Sequence, residues 1–440
     1  MGLGRSDQAV DTPRNLCVSN WVRFLRWNGG ASCDSNKRTS VIFWHHQLPV
    51  YSPMTLASIM LASRHALRVR PDPRPELVAC LRQEYDARDV VLCSGGTEAL
   101  RFALSEASQD FGRPPVVALP AYSCFDLATA AVGVGAKVWM YDMDPETLAP
   151  DLDSLERALK GGARIVVVSP LFGVPVNWAA VEACVDPFGA VVIEDAAQGH
   201  GATWRGRLLG SLGSVSVLSF GRGKGWSGCR GGALLVRGQV LPGVSSHLPG
   251  REPGLIGEGG IGVRALAQWG LGRSQIYWIP ASIPWLGLGD TRYREPAPPR
   301  PATRMAASLL NYTRELAIGE ASVRRARAEC LLEHLRLGPQ VKAVRADSEG
   351  EGGYLRLPLR LAKGLAGFRD PRQAIRLGVA AGYPASLADL PQLRARIVNS
   401  NERLPGGREL VRQLVTLPTH SRCGQVERDL LVRLIDAYEG

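Results

Sequence analysis

The sequence predicts an α/β protein. It has a large domain built on a mostly parallel sheet of about seven strands, then a smaller C-terminal α+β domain. Three observations carry this. Short β-branched runs alternate with helix-length segments between residues 89 and 236. Most of these runs are apolar throughout, as strands covered on both faces must be. The chain of 440 residues can also bury more than one small core, which favours a large domain of 48–300 and a small one of 301–440.

The elements follow in order. Residues 1–47 mix Trp21, Trp27 and Trp44 with Asn, Ser, Gly and Arg without a sustained period, and read as an N-terminal extension. A helix is expected from about Met54, opened by Ser52-Pro53, and a second over Asp72–Asp86, where Leu77, Leu81 and Tyr85 recur every four residues. DVVLC at 89–93 is a strand running into Ser94-Gly95-Gly96-Thr97 and a helix. Strands at 115–119, 136–144 and 164–169 follow, separated by helices, with a helix near Trp178–Val185 before the next strand. Two further strands, Ala190–Ile193 and Val215–Leu218, end abruptly in polar residues: Glu194-Asp195 after the first, Ser219 and then Lys224 after the second. GGALLV closes the set.

Residues 240–300 carry Gly-rich GEGGIG and the apolar IYWIPASIPWLGLG, whose prolines forbid one continuous helix. They are expected to form a dimer arm or an active-site cover. An Arg-rich helix is expected over about Met305–Leu335 with a solvated charged face, and a shorter helix near Pro371–Ala381.

Composition excludes several classes. A net charge of +11 favours anionic ligands, but the arginines are scattered and form no basic block, which argues against nucleic acid. Nine cysteines without a CxxC pair read as reduced thiols in a cytoplasmic setting, with no metal site. No apolar run approaches the roughly 20 residues that span a bilayer.

In an open α/β sheet, ligands bind beyond the carboxyl ends of the strands. Asp195 and Lys224 are therefore delivered to one rim, with Gly223 and Gly225 leaving room beside the amine. Lysine is scarce, with only six against a large excess of arginine. A lysine amine can be deprotonated and attack a carbonyl, whereas a guanidinium cannot. The Ser94–Thr97 turn places backbone N–H groups and a hydroxyl at a positive helix end, where they can hold a phosphate.

These motifs resemble the pyridoxal-phosphate core of the DegT/StrS-type sugar aminotransferases, a fold-type-I family. The acidic motif EDAAQxHGA is similar to residues Glu194–Ala202; the lysine motif SFxxxK with a following GGA is similar to Ser219-Phe220, Lys224 and Gly231-Gly232-Ala233. The resemblance implies that Lys224 binds pyridoxal 5′-phosphate covalently and that Asp195 faces its pyridine nitrogen. It also implies that Gln198 contacts the phenolic oxygen, and that Ser219, Thr97 and either Gly95 or Gly96 hold the phosphate. An aromatic residue of the family's turn after the second strand stacks on the ring. Cys124 stands at that position here, so Tyr122 or Phe125 is expected to substitute. Leu417-Pro418-Thr419-His420 is similar to the family's closing LPxH, with a structural histidine.

The implied activity is transfer of an amino group from an amino acid such as glutamate to a keto-sugar, usually nucleotide-linked, by a homodimer acting on small molecules. A pyridoxal-phosphate lyase or dehydratase would use the same core, and a non-catalytic relative would be expected to lose Asp195 or Lys224.

Overall fold

The computed structural model describes residues 46–109, 111, 114–238, 248, 252–283 and 291–439. Nearly all of the expected extension 1–47, and parts of the 240–300 segment, lie outside these residues.

The large sheet contains β1 (Asp89–Cys93), β2 (Val116–Pro120), β3 (Lys137–Tyr141), β4 (Ile165–Val168), β5 (Val191–Asp195), β8 (Val215–Ser219) and β9 (Gly232–Val236), in the order β1-β9-β8-β5-β4-β2-β3. The short strands β6 (Thr203–Trp204) and β7 (Arg207–Leu208) lie apart from it, in a small ribbon with β11 (Gly350–Glu351). Only β9 runs against the others in the large sheet. Six strands therefore open their carboxyl ends onto one rim.

Period-two geometry sorts each apolar run into two cores. In β4, Ile165 and Val167 enter one cluster while Val166 and Val168 enter the other. The first cluster is completed by Ala99, Leu100, Ala103 and Leu104 of α3 (Gly96–Ala107) and by Leu127, Ala128 and Ala131 of α4 (Phe125–Gly133). The opposite cluster takes Leu77 and Leu81 of α2 (Arg74–Glu84), Leu155 and Ala158 of α5 (Leu152–Lys160), and Trp178 and Val181 of α6 (Trp178–Val185). It also takes Ala307 and Leu310 from the start of α9 (Arg304–His334).

Helix α1 (Leu56–Ala66) begins later than Met54, because Thr55 closes a capping box with Ser58. The 240–300 segment yields α7 (Leu255–Leu271) and α8 (Ser274–Ala281), interrupted at Gly272-Arg273. The charged face of α9 is not simply solvated. Arg324 is fully buried, and among the described residues none of its three guanidinium nitrogens finds a hydrogen-bond partner.

Beyond α9 stands a four-stranded antiparallel sheet, β10-β12-β14-β13, made of β10 (Val341–Ala343), β12 (Leu357–Leu361), β13 (Ala380–Ala381) and β14 (Leu414–Leu417). Helices α10 (Pro371–Arg376), α11 (Pro405–Gln413) and α12 (Gln425–Asp436) accompany it. The helix expected to reach Ala381 stops at Arg376, and Ala380-Ala381 pairs with β14 instead.

Candidate active site

Strand register builds the acidic side of the rim. Val168 of β4 is paired with Glu194 of β5, so the next residue, Ser169, stands beside Asp195. Its hydroxyl donates to Asp195 Oδ2 at 3.0 Å, and the Ala197 N–H donates to Oδ1 at 3.2 Å. Burial pushes the Asp195 carboxyl above its ordinary range, and the Lys224 ammonium pulls the other way. A buried carboxylate with two neutral donors is stabilised by a cation held against it.

Lys224 follows β8 in a loop fastened at several points. Gly223 adopts φ +80°. A side chain at Gly225 would fall 2.9 Å from an Arg324 nitrogen and from His200 Cβ. The Lys224 carbonyl accepts from the Ser52 hydroxyl at 2.5 Å. The stretch around Ser52 is itself pinned: Leu48 O accepts from His420 Nε2 at 2.8 Å, and Pro49 O accepts from Arg356. His420 is fully buried, as expected of a structural residue.

Helix α3 aims its N-terminus into the same pocket. Its first N–H groups have no intrahelical acceptor, and Gly95 at the N-cap supplies no side-chain cap. A Cβ at Gly96 would lie 2.6 Å from Ser219 Cβ, and one at Gly232 would lie 2.5 Å from the Gly95 backbone. The two glycines let the turn, β8 and β9 approach closely. Gly96 and Thr97 line the pocket with Leu100, Cys124, Asp126, Ser169, Asp195, Gln198, Ser219 and Lys224. Gly95 stands one residue outside.

Neither aromatic candidate is on the pocket wall. Tyr122 is fully buried, and its hydroxyl accepts from the Tyr383 N–H at 2.7 Å. Phe125 opens α4 and packs into the core below the rim. The chain leaves β2 so that Cys124 faces the pocket, its thiol 3.5 Å from Asp126 Oδ2 and pushed up to about 12 by burial. Gln198 is held at both ends: Oε1 accepts from the Phe172 N–H at 2.8 Å and Nε2 donates to the Tyr383 hydroxyl at 2.5 Å. Phe172 reaches that position at φ +58° within a tight turn.

Sequence reasoning missed Ser169, Asp126 and Tyr383. Ser169 was legible as the polar residue ending a strand parallel to β5. Tyr383 carried no signal, since only tertiary folding brings it to Gln198.

Residues 77–241 match the DegT/DnrJ/EryC1/StrS aminotransferase family. Over that stretch the chain is similar to the family. An L-glutamine:2-deoxy-scyllo-inosose aminotransferase of Streptomyces kanamyceticus is 33% identical over 158 residues, 36% of each chain. A UDP-2-acetamido-2-deoxy-3-oxo-D-glucuronate aminotransferase of Pseudomonas aeruginosa is 29% identical over 164 residues, 37% of this chain and 45% of its own. The matched region thus spans less than half the length of either relative. The fold extends further: Spr1654 of Streptococcus pneumoniae, solved in its PLP form, superposes with a TM-score of 0.67 over 89% of this chain and 98% of its own, at 17% identity. The acidic and lysine motifs read from the sequence lie within the matched stretch, whereas Leu417-Pro418-Thr419-His420 lies outside it.

The pocket also fits the family's cofactor, pyridoxal phosphate. It offers an uncapped helix end with hydroxyls for a phosphate, a buried carboxylate for a ring nitrogen, and a lysine for an aldehyde.

Proposed function

We propose that this protein is a pyridoxal-phosphate-dependent aminotransferase that moves an amino group from an amino acid of the glutamate type to a keto-sugar, nucleotide-linked in the first instance. The observation that carries this is the meeting of Lys224, Asp195 and the α3 N-terminus in one pocket. The two curated relatives act on a keto-cyclitol and a UDP-linked 3-oxo sugar by their names, which supports a cyclic keto acceptor.

Bound pyridoxal phosphate supplies an electron sink and carries the amino group between donor and acceptor. The chain's residues do the rest. Gly96, Thr97 and Ser219 hold the phosphate at the helix end. Asp195, fixed by Ser169 and Ala197, keeps a proton on the ring nitrogen. Gln198 directs an Nε2 hydrogen at the phenolic oxygen. Lys224 Nζ would hold the group's aldehyde and, when free, would move a proton between neighbouring carbons. Cys124, which lines the pocket, would take the place where the resemblance implies an aromatic.

No helix among the described residues is long and apolar enough to cross a membrane. Leu56, Met60 and Leu67 of the α1 region and Ile256, Val263 and Leu266 of α7 are exposed, and the two helices pack together. The exposed apolar face supports a homodimer in which a second copy covers it.

The test is an absorption spectrum of the protein with pyridoxal phosphate, beside Lys224→Ala, before and after borohydride. A visible band in the wild type alone, fixed to Lys224 by reduction, is expected. No band would overturn the reading. Amino transfer from glutamate or glutamine to a panel of UDP-3-oxo sugars and keto-cyclitols then separates transferase from lyase, because a lyase would consume one substrate without aminating the other.

A further inference from the structure

The turn that sequence reasoning expected to stack on the ring does something else. Tyr122 turns away from the pocket and grips the Gly382-Tyr383 backbone. Its hydroxyl accepts the Tyr383 N–H at 2.7 Å, and a Cβ on Gly382 would lie 1.9 Å from it, so only glycine fits there. The Tyr383 ring lies 5.5 Å from that of Tyr122 and stacks on Phe172 at 6.3 Å with an interplanar angle of 22°. Tyr383 is thus fixed through its backbone and both ring neighbours, although it follows β13 of the other sheet.

The Phe172 N–H can only donate, so the Gln198 atom it meets is the carbonyl oxygen, and Nε2 is the end at Tyr383. Nε2 carries two hydrogens. One is committed to the Tyr383 oxygen at 2.5 Å, which fixes the amide plane and aims the second. The phenol accepts that bond, and among the described residues no acceptor takes its own hydrogen. Burial pushes the phenol well above its ordinary range, so it stays protonated at any working pH.

We propose that Tyr383 is a positioning residue of the cofactor pocket: it orients Gln198 so that the amide's second hydrogen meets the cofactor's phenolic oxygen, and through that contact sets the pH at which the lysine-bound cofactor loses its proton. The inference rests on the pyridoxal-phosphate reading above. Tyr383 replaces no stacking aromatic; it acts through another side chain. A donor on the phenolic oxygen stabilises its negative charge when the nitrogen beside it is deprotonated. Removing the donor makes the nitrogen hold its proton to higher pH.

The experiment is a pH titration of the visible band in the full-length wild type, Tyr383→Phe, Gln198→Ala and the double variant. Tyr383→Phe is expected to raise the midpoint by about one pH unit. Gln198→Ala should raise it at least as far, and the double variant no further than Gln198→Ala, since the two act in series. A merely structural role would lower the melting temperature and leave the midpoint in place. An unchanged midpoint in Tyr383→Phe, or shifts that add in the double variant, would overturn the proposal while leaving the cofactor assignment intact. A wild type without any band would overturn both. Should Tyr383→Phe fail to fold, 3-fluorotyrosine at 383 keeps ring and hydroxyl. Its fluorine resonance should move when pyridoxal phosphate is added to the otherwise wild-type protein and stay fixed in a Gln198→Ala background; movement in both, or in neither, would overturn the proposal.

Discussion

Glu194 and Asp195 leave the same strand on opposite faces, and their surroundings differ sharply. Glu194 is saturated: it accepts from the N–H groups of Gly210, Leu212 and Gly213 at 2.6, 2.9 and 3.1 Å and from the Ser216 hydroxyl at 2.9 Å. Burial raises its pKa, and these four donors draw it back down. Asp195 has two donors and the charge of Lys224. A carboxylate whose acceptor sites are filled by its own chain fastens that chain. One left short of partners is available to a ligand.

The comparison breaks most visibly at Asp195. Asp195→Asn should lower turnover by about 10²- to 10³-fold while leaving urea unfolding near wild type. A large loss of stability with little loss of turnover would mean the two carboxylates have been read the wrong way round. Glu194→Gln is the converse. It replaces an acceptor with an amide group that faces donors, at a cost of about 2–3 kcal/mol, with turnover per folded molecule unchanged.

The pH dependence of stability probes two buried groups outside this pair. His200 and His420 are each lowered from 6.5 to about 3, chiefly by burial and also by neighbouring arginines, against a favourable backbone bond to Ala317 for His200 and to Leu48 for His420. Below about pH 6.5 the unfolded chain binds protons that the native state refuses. The stability these histidines confer is therefore complete above that pH and is lost as pH falls toward 3, by about 1.4 kcal/mol per pH unit for each. Urea midpoints between pH 7.5 and 4.5 should fall accordingly, and His420→Gln should flatten the slope by about half of this share. An unaltered slope would show that carboxylates alone set it.

The smallest effect is expected at Tyr122. Tyr122→Phe removes the acceptor of the Tyr383 N–H and should cost about 1 kcal/mol. A visible band lost in this variant would return Tyr122 to the pocket wall, against its buried position.

How much was legible follows from the range of the forces involved. The seven strands, the parallel rim, and Asp195 and Lys224 upon it were readable because β-branched runs and strand-end chemistry are local. The turn that opens α3 at the pocket was readable too, except for which glycine enters the pocket. That choice depends on the close approach of β8, a packing fact invisible in SGGT. Tyr122 and Phe125 were misplaced because a turn's sequence does not say which of its residues points outward. Tyr383 and the buried Arg324 were out of reach, since each owes its place to elements more than a hundred residues away.

The fastening of the Lys224 carbonyl to Ser52 also bears on how the protein is made. The segment around Ser52 is held by Arg356 and by His420, which lies just beyond the last strand of the second sheet. During synthesis the lysine loop emerges long before those two residues exist. The large sheet can therefore collapse while the reactive loop is still loose, and its final shape waits on the end of the chain. Pulsed hydrogen exchange during refolding should find β5 amides protected first and those of residues 221–228 last. Simultaneous protection would mean that the loop needs no support from Arg356 or His420 to close.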